Sequence, residues 1–468
     1  LIRLEAVRVL TNAYADDVNL IKSGLLEQLP YMYQEMQRAI TICEQWALDL
    51  GLKLSHSKTE CIIIRKSTKK INISPLRLNN QPITYVNTCK YLGLIFTTNL
   101  SWSKHIQEKI KKVRKIIHAT RSSLSRSWGP SPSLIRWSYT QCIRPILTYG
   151  CFIWGKALTG TLRAKMASLQ RQALMQCGNF RATTPTEALN VIFGVPPIQI
   201  YVRELITRAN LRFKQSYQCT LRIPAERGHW QFSETLFNRV EINLENSDVH
   251  NNKYPPPSYR TEIDLHQSFL NRDPGEEIHI FTDGSKSDNN VGCSAVLYDY
   301  KVTNYPIIQT GERLSNNTTV YQSEIFGILK ACQVIRHYTD NYSRNLSNIK
   351  IFTDSQAVIK SLNNRHIHSL STARARNALD HLGRKCNLTI SWVKGHSGCE
   401  GNEAADNTAR HYSYSDYEIL QTPVAKTIVY NDITEYFQRT WNQYWSNINL
   451  SQSKIWFPEV KQDFYKQL

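Results

Sequence analysis

The alternation of apolar and polar residues divides the chain into a mainly helical first part and a later part in which strands and helices alternate. In the later part, apolar β-branched and aromatic runs predict five strands, at 277–283, 292–298, 305–313, 349–354 and 387–393. Helical periodicity predicts helices at 319–338, from residue 355, at 371–384 and at 402–411. This order of elements is typical of a mixed five-stranded α/β sheet with helices on its faces.

The first part opens with two apolar strands, at 4–14 and 18–21, which flank the tetrapeptide Tyr14-Ala15-Asp16-Asp17. An acidic pair at a hairpin tip between apolar strands can present carboxylates to a metal ion. Taken alone, the four residues fit an acidic turn equally well. A periodic apolar pattern at 29–50 predicts that a helix follows.

A basic amphipathic helix is predicted within residues 101–126, and its apolar stripe comprises Ile106, Ile110, Val113 and Ile117. Most of its lysines lie off that stripe, at Lys104, Lys111, Lys112 and Lys115. Further helical patterns cover 133–154, 162–177 and 186–213. Residues 221–273 have little periodicity and contain three successive prolines, so we predict a linker there.

The charge of the chain is strongly positive and uneven. The formal net charge is +19, and residues 1–270 contain 36 basic and 18 acidic side chains. Between Cys61 and Thr186 there are 21 basic residues and a single acidic one, Glu108. Such a segment repels itself unless a polyanion neutralises it, which favours nucleic acid as the partner. A solvated basic surface and, for the amphipathic helix, a membrane surface are the alternatives.

The 11 cysteines occur without CxxC spacing, which argues against a zinc site or a disulfide framework and indicates reduced intracellular thiols. No apolar run approaches the roughly 18 residues of a membrane span, so no membrane partner is expected. The chain starts at Leu1 and runs directly into an apolar strand pattern. We therefore expect an N-terminally truncated fragment, with no signal for nucleus or cytoplasm.

Four carboxylates stand at definable points of the predicted sheet. Asp283 and Asp354 follow strands, whereas Glu324 and Asp406 lie in helical patterns. Strand-end capping or an exposed helix charge explains each of them singly. Carboxylates that converge from two strands and two helices suit hard divalent cations, which prefer oxygen ligands.

The sequence YADD, the segment GLKLSHSKTE and the later YLG resemble the palm of a reverse transcriptase from a non-LTR (LINE-type, Jockey-like) retrotransposon. The resemblance implies metal ligation by Asp16 and Asp17. It also places a third carboxylate on a strand upstream of YADD, and that strand is not in this chain. We therefore expect no RNA-directed DNA polymerase activity from this chain alone.

The motifs TDGS, a helical glutamate, TDS and GHSGxxGNExAD resemble type 1 ribonuclease H in their order, with His396 ten residues before Asp406. The resemblance implies metal binding and catalysis by Asp283, Glu324, Asp354 and Asp406, with His396 as a mobile catalytic histidine. It also implies substrate contacts at Ser355, Gln356 and Asn402, two Mg²⁺ ions (or Mn²⁺) and an RNA/DNA hybrid as the substrate. Tyr321-Gln322 departs from some members, which have asparagines there that contact 2′-hydroxyl groups.

Together these patterns predict a truncated reverse transcriptase palm at 1–98, a basic helical thumb or connection region at 99–215, a linker at 216–274, a ribonuclease H domain at 275–412 and a helical extension at 413–468. The expected function is metal-dependent endonucleolytic hydrolysis of the RNA strand of RNA/DNA hybrids during retroelement replication, with a polymerase remnant that binds nucleic acid. One alternative is a non-catalytic remnant that binds nucleic acid. Another is reverse transcriptase activity when the missing upstream part is supplied. The sequence does not identify a protein partner.

Overall fold

The computed structural model describes residues 9–65, 73–122, 130–177, 180–215, 252–263, 277–287, 290–342, 348–414, 416–449 and 451–460. The chain divides into two units, which are described separately below. The first contains Leu1–Val202 and Trp445–Leu468, and the second contains Arg203–Tyr444.

The first unit begins with the predicted hairpin, formed by β1 (Leu10–Tyr14) and β2 (Asp17–Ile21). Tyr14 lies opposite Asp17, and Ala15 in the turn has a φ of 51°. Helix α1 (Leu29–Asp49) follows and buries one face, which includes Ile40 and Cys43. Six short strands come next: β3 (Glu60–Cys61), β4 (Arg77–Leu78), β5 (Gln81–Pro82), β6 (Thr84–Tyr85), β7 (Thr88–Tyr91) and β8 (Leu94–Thr97).

The rest of the described first unit is helical. The helices are α2 (Ser103–Ser122), α3 (Pro132–Ser138), α4 (Arg144–Thr148), α5 (Cys151–Trp154), α6 (Gly160–Leu174), α7 (Thr186–Ile192) and α8 (Ile198–Gln215), and α8 continues into the second unit. A π-helical turn, Tyr139–Ile143, joins α3 to α4. The four apolar residues of the predicted stripe on α2 are all buried, which confirms that face of the helix.

The second unit is an α/β domain. Its strands are β9 (Asn252–Lys253), β10 (Arg260–Glu262), β11 (Glu277–Ser287), β12 (Asn290–Asp299), β13 (Ile308–Leu314), β14 (Asn348–Thr353), β15 (His366–Ile367), β16 (Asn387–Trp392) and β17 (Ile419–Leu420). Its helices are α9 (Val320–Tyr342), α10 (Gln356–Asn363), α11 (Leu370–Gly383), α12 (Glu400–Tyr414) and most of α13 (Lys426–Asn447), and α14 (Ser451–Trp456) lies in the first unit.

The five predicted strands form the body of a seven-stranded sheet with the order β10-β16-β14-β11-β12-β13-β17. Strand β11 is central, antiparallel to β12 and parallel to β14. Alternate residues of β11 pack into different clusters: Ile278 and Ile280 join the larger apolar core, whereas Phe281 packs with Phe352. Such two-sided burial requires helices on both faces of a sheet.

Part of the predicted linker belongs to the sheet instead. Strand β10 pairs in parallel with β16, and the preceding residues are anchored by the fully buried Arg376. Arg376 donates hydrogen bonds to the Pro255 carbonyl (2.7 Å) and to Asp380 Oδ2 (2.9 Å). Asp380 Oδ1 in turn accepts a hydrogen bond from the Ser258 N–H (2.8 Å). The linker prediction is therefore wrong for residues 252–263, which we call the strap.

The residues after α12 also pack on the sheet. Strand β17 pairs in parallel with β13, and Gln322 in α9 donates a hydrogen bond to the Pro423 carbonyl (2.7 Å). In α13 the three aromatic residues spaced four apart, Phe437, Trp441 and Trp445, are all buried. Among the helices that the structure describes, none combines the length and the apolar character that a bilayer span requires.

We expect Arg376→Met to destabilise the second unit by about 3–5 kcal/mol, because it leaves the buried Asp380 charge without its ion-pair partner and removes the hydrogen bond to the Pro255 carbonyl. Chemical denaturation of the full chain, read at the transition of this unit, measures the loss. Arg439→Met is the matched control, since Arg439 also faces a carboxylate at i−4 but is 73% exposed. Equal midpoints for the two variants would contradict the anchoring role of Arg376.

Candidate active site

Asp283 and Asp354 are brought side by side by the register of two neighbouring parallel strands. Thr282 of β11 lies opposite Thr353 of β14, so the residue that follows each of them occupies the same level of the sheet. Asp283 is buried and Asp354 is half-buried. The Trp392 indole N–H donates to the Asp354 carbonyl (2.9 Å), which fixes the backbone at the end of β14.

Glu324 reaches these aspartates from helix α9 because Gly284 lets the helix approach β11 closely. A Cβ atom at position 284 would lie 2.5 Å from the Glu324 nitrogen and 2.5 Å from Ser323 Oγ. Only a residue without a side chain fits at this distance. The glycine of the TDGS motif lies within β11, opposite Cys293, and its role is to allow this close packing.

The loop between β16 and α12 closes the site beside Asp354. A Cβ atom at Gly395 would lie 2.7 Å from Asp354 Oδ2, so this loop also depends on a missing side chain. His396 has a φ of 51°, a strained conformation for a residue with a side chain. It is close enough to Asp354 for its charge to lower the pKa of that carboxyl group, although burial raises that pKa more strongly.

Asp283, Glu324 and Asp354 form a compact carboxylate group, in which one ligand oxygen from each lies within 4.8 Å of the others. Burial, followed by repulsion from Asp354 and Asp406, raises the pKa of Asp283 to about 7. Burial and the negative charge of Asp283 raise the pKa of Glu324 well above its ordinary value. Among the described atoms, Glu324 Oε2 is buried and has no hydrogen-bond partner.

These properties fit a divalent cation. A hard cation takes oxygen ligands and supplies positive charge. It would therefore offset the repulsion between the carboxylates and give the Glu324 oxygen that lacks a hydrogen bond a partner. Within the ranges that the structure describes, this is the only cluster of three or more carboxylate, histidine or cysteine side chains with such spacing. Sequence reasoning named all three members.

Asp406 lies next to this group but outside it. Its charge contributes to the raised pKa values of Asp283, Glu324 and Asp354. One of its oxygens accepts a hydrogen bond from Arg410 (2.7 Å), one turn further along α12. Sequence reasoning missed this ion pair, although the i, i+4 spacing of opposite charges was a usable signal.

The three residues predicted to contact substrate differ in accessibility. Ser355 and Gln356 are half-buried, at the position before α10 and at its first residue, directly after Asp354. Asn402 in α12 is 4% exposed, and its side-chain oxygen has no hydrogen-bond partner among the described atoms.

Tyr321 and Gln322, at which the sequence departs from some ribonucleases H, form hydrogen bonds within the domain. The Gln322 side chain is buried, accepts a hydrogen bond from the Thr319 N–H (3.0 Å) and donates to the Pro423 carbonyl. The Tyr321 hydroxyl forms a hydrogen bond with Thr372 Oγ1 (2.9 Å). Neither arrangement leaves the polar atoms oriented for an external ligand.

Asp16 and Asp17 are exposed at the turn of the β1–β2 hairpin. The structure brings no third ligand to them within the described residues, where the carboxylate group of the second unit is the one candidate metal cluster.

The known proteins that are similar to this chain fall into two groups. Residues 275–414 match the family model of RNase H. A Ribonuclease H from Francisella philomiragia subsp. philomiragia is 30% identical over 142 residues, which cover 28% of this chain and 86% of that protein.

The other relatives come from retrotransposable elements. A 115 kDa protein in the type-1 retrotransposable element R1DM of Drosophila melanogaster is 25% identical over 226 residues. A Retrovirus-related Pol polyprotein from type-1 retrotransposable element R1 of Nasonia vitripennis is 26% identical over 255 residues. The matches cover 48% and 49% of this chain, and the chain spans 21% of the first relative and 74% of the second.

The raised pKa of Asp283 predicts a pH-dependent response to Mg²⁺. Without a cation, the folded state holds a proton at Asp283 that the unfolded chain has released, so stability should fall as pH rises from about 4 to about 7. A cation binds the ionised form, so 10 mM Mg²⁺ should raise the melting temperature more at pH 7.5 than at pH 5.5, by about 3 °C or more. Asp283→Asn should remove most of both effects in a thermal-shift titration. An Mg²⁺ response that is equal at the two pH values would contradict this assignment.

Gly395→Ala should weaken cation binding about tenfold, because the new methyl group displaces the Asp354 carboxylate. The midpoint of an Mg²⁺ titration followed by melting temperature measures the change. Gly160→Ala is the control, since a Cβ atom there meets nothing within 4 Å. If the two variants titrate like the unmodified chain, Gly395 has no role in placing Asp354.

Proposed function

Because residues 275–414 make this chain a member of the ribonuclease H family, we propose that it hydrolyses the RNA strand of RNA/DNA hybrids endonucleolytically, with divalent cations, during the replication of a retroelement. The observation that carries this proposal is the compact group of Asp283, Glu324 and Asp354, of which the first two are buried and Asp354 is half-buried. The similarity to Pol polyproteins of type-1 retrotransposable elements supports the replicative setting.

Asp283, Glu324 and Asp354 would hold the cations, together with Asp406. We propose Mg²⁺, and Mn²⁺ would suit the same oxygen ligands. When bound, the cations supply Lewis acidity for the attack of water on phosphorus and offset the charge that develops on the leaving oxygen. The number of ions that the family resemblance implies is two.

The side chains of the chain itself carry out the remaining steps. Burial raises the pKa of Asp283 and of Glu324, and both would have to be ionised to hold a cation; they would present their oxygens from buried positions. His396, beside Asp354 on a glycine-flanked loop, carries a proton to the leaving oxygen or helps the product to depart. Ser355, Gln356 and Asn402 orient the substrate.

The partner that we propose is an RNA/DNA hybrid. Selective cleavage of RNA requires contact with the 2′-hydroxyl group and recognition of a wide minor groove. Helix α2 supports nucleic-acid binding by the first unit, because its apolar stripe is buried while Lys111, Lys112 and Lys115 are exposed. We propose that these ammonium groups bind phosphates, whereas the second unit provides the cleavage site.

A hybrid-cleavage assay with the full chain tests this function. In Mg²⁺ the chain should cut a labelled RNA strand internally when it is paired with DNA, and should leave single-stranded RNA and the DNA strand intact. Asp283→Asn should lower the rate about a thousandfold or more while hybrid binding persists, since the loss removes several kcal/mol of transition-state stabilisation.

His396→Ala should lower the rate about a hundredfold, as expected for loss of a general acid. His366→Ala is the control, because His366 is exposed in β15 and has no proposed role. A chain that binds hybrid but does not cut it would instead favour the non-catalytic remnant.

A further inference from the structure

A shallow depression, largely open to solvent, lies on helix α12 directly after Asp406, and we call it the groove. It is lined by Asn407, Arg410, His411 and Tyr414, which recur at i, i+3, i+4 and i+7 and therefore share one face of the helix. All four are exposed. Neither the metal-binding group nor the proposed proton transfer uses any of them.

Two hydrogen bonds place this groove beside the candidate active site. At one end, Arg410 donates to Asp406 Oδ2 (2.7 Å). At the other, the Tyr414 hydroxyl donates to Ser287 Oγ (3.1 Å), near the end of the strand that carries Asp283. Arg410 is close enough to that strand for its charge to lower the pKa of Asp283.

The chemistry of the groove favours an anion. None of the four lining residues is acidic, and they offer a guanidinium, an amide, a phenol and an imidazole. A guanidinium has five N–H donors in a planar fork that fits phosphate oxygens. The Arg410 side chain is 56% exposed, so an external ligand can reach it.

We propose that this groove binds a phosphate of the nucleic-acid backbone next to the bond that is cut, an assignment that rests on the proposed function and deepens it. Arg410 then exchanges its bond to Asp406 for one to the phosphate. Asp406 becomes available to the cations when the hybrid is in place. Hybrid binding and completion of the carboxylate set are thereby linked through one guanidinium group.

The test measures hybrid binding without cleavage. The full chain and its variants are titrated in EDTA against a fluorescent RNA/DNA hybrid that lacks terminal phosphates, and anisotropy is read at several salt concentrations. Arg410→Gln should raise Kd about fivefold, the effect of one charged hydrogen bond, and should lower the salt slope by about one. Asn407→Ala, which leaves the Arg410–Asp406 pair in place, should also raise Kd.

Arg439→Gln is the matched control, because Arg439 also pairs with a carboxylate at i−4, Glu435, but lies outside the groove. A second arm titrates inorganic phosphate against the melting temperature. If Arg410→Gln weakens only the phosphate response, the groove is a phosphate site for free or terminal phosphate, and the backbone assignment is overturned. If Arg410→Gln and Arg439→Gln behave alike in both arms, the groove has no role in binding.

The outcome for the groove is separable from that for the proposed function. A chain that fails to cut hybrid, yet loses affinity with Arg410→Gln and retains it with Arg439→Gln, disproves the nuclease proposal and supports the groove. If the chain cuts hybrid normally and binds it equally well after each of the three substitutions, the nuclease proposal is supported and the groove proposal is disproved.

Discussion

Repulsion among three clustered carboxylates, two of them buried and one half-buried, is the constraint around which the second unit is built. Asp283, Glu324 and Asp354 hold their oxygens within 4.8 Å of one another, and Asp283 and Glu324 are largely shielded from water. Charges of one sign at this distance are costly to bring together in a poorly polarisable interior. The close helix contact at Gly284 and the loop at Gly395 bring the backbone next to Glu324 and Asp354, where only a glycine fits. The fold therefore carries an electrostatic cost that a proton at Asp283 offsets and that a divalent cation would offset instead.

The sheet was predictable because its strands are apolar runs bounded by clear breaks, and period-two and period-3.6 patterns depend only on neighbouring residues. The four carboxylates could also be identified from the sequence, since each lies in a short motif of neighbouring residues. The contact that anchors the strap was not. Arg376 and Pro255 are 121 positions apart, and nothing near either residue marks it as half of a buried pair.

Local sequence patterns also do not determine the burial and the hydrogen-bond partners of individual side chains. Tyr321-Gln322 stands where some family members have asparagines that contact substrate, but the Gln322 side chain is buried and donates to the Pro423 carbonyl, which lies outside the nuclease motifs. Asp406 was assigned to the metal group on its motif, yet in the structure one of its oxygens is bonded to Arg410. In both cases tertiary contacts set which atoms a polar side chain can offer, and the motif sets only which side chain is present.

The strap affects which segment of the chain could be transferred to another protein by recombination and still fold. The family match begins at residue 275, whereas β10 (Arg260–Glu262) extends the sheet beside β16 and the Pro255 carbonyl accepts a hydrogen bond from Arg376 in α11. A recombination that joins a new partner at the family boundary would transfer the candidate carboxylates, but it would leave Arg376 without Pro255 and Asp380 without Ser258 as hydrogen-bond partners. The segment that can be transferred as a folded domain is thus longer than the segment that matches the family model.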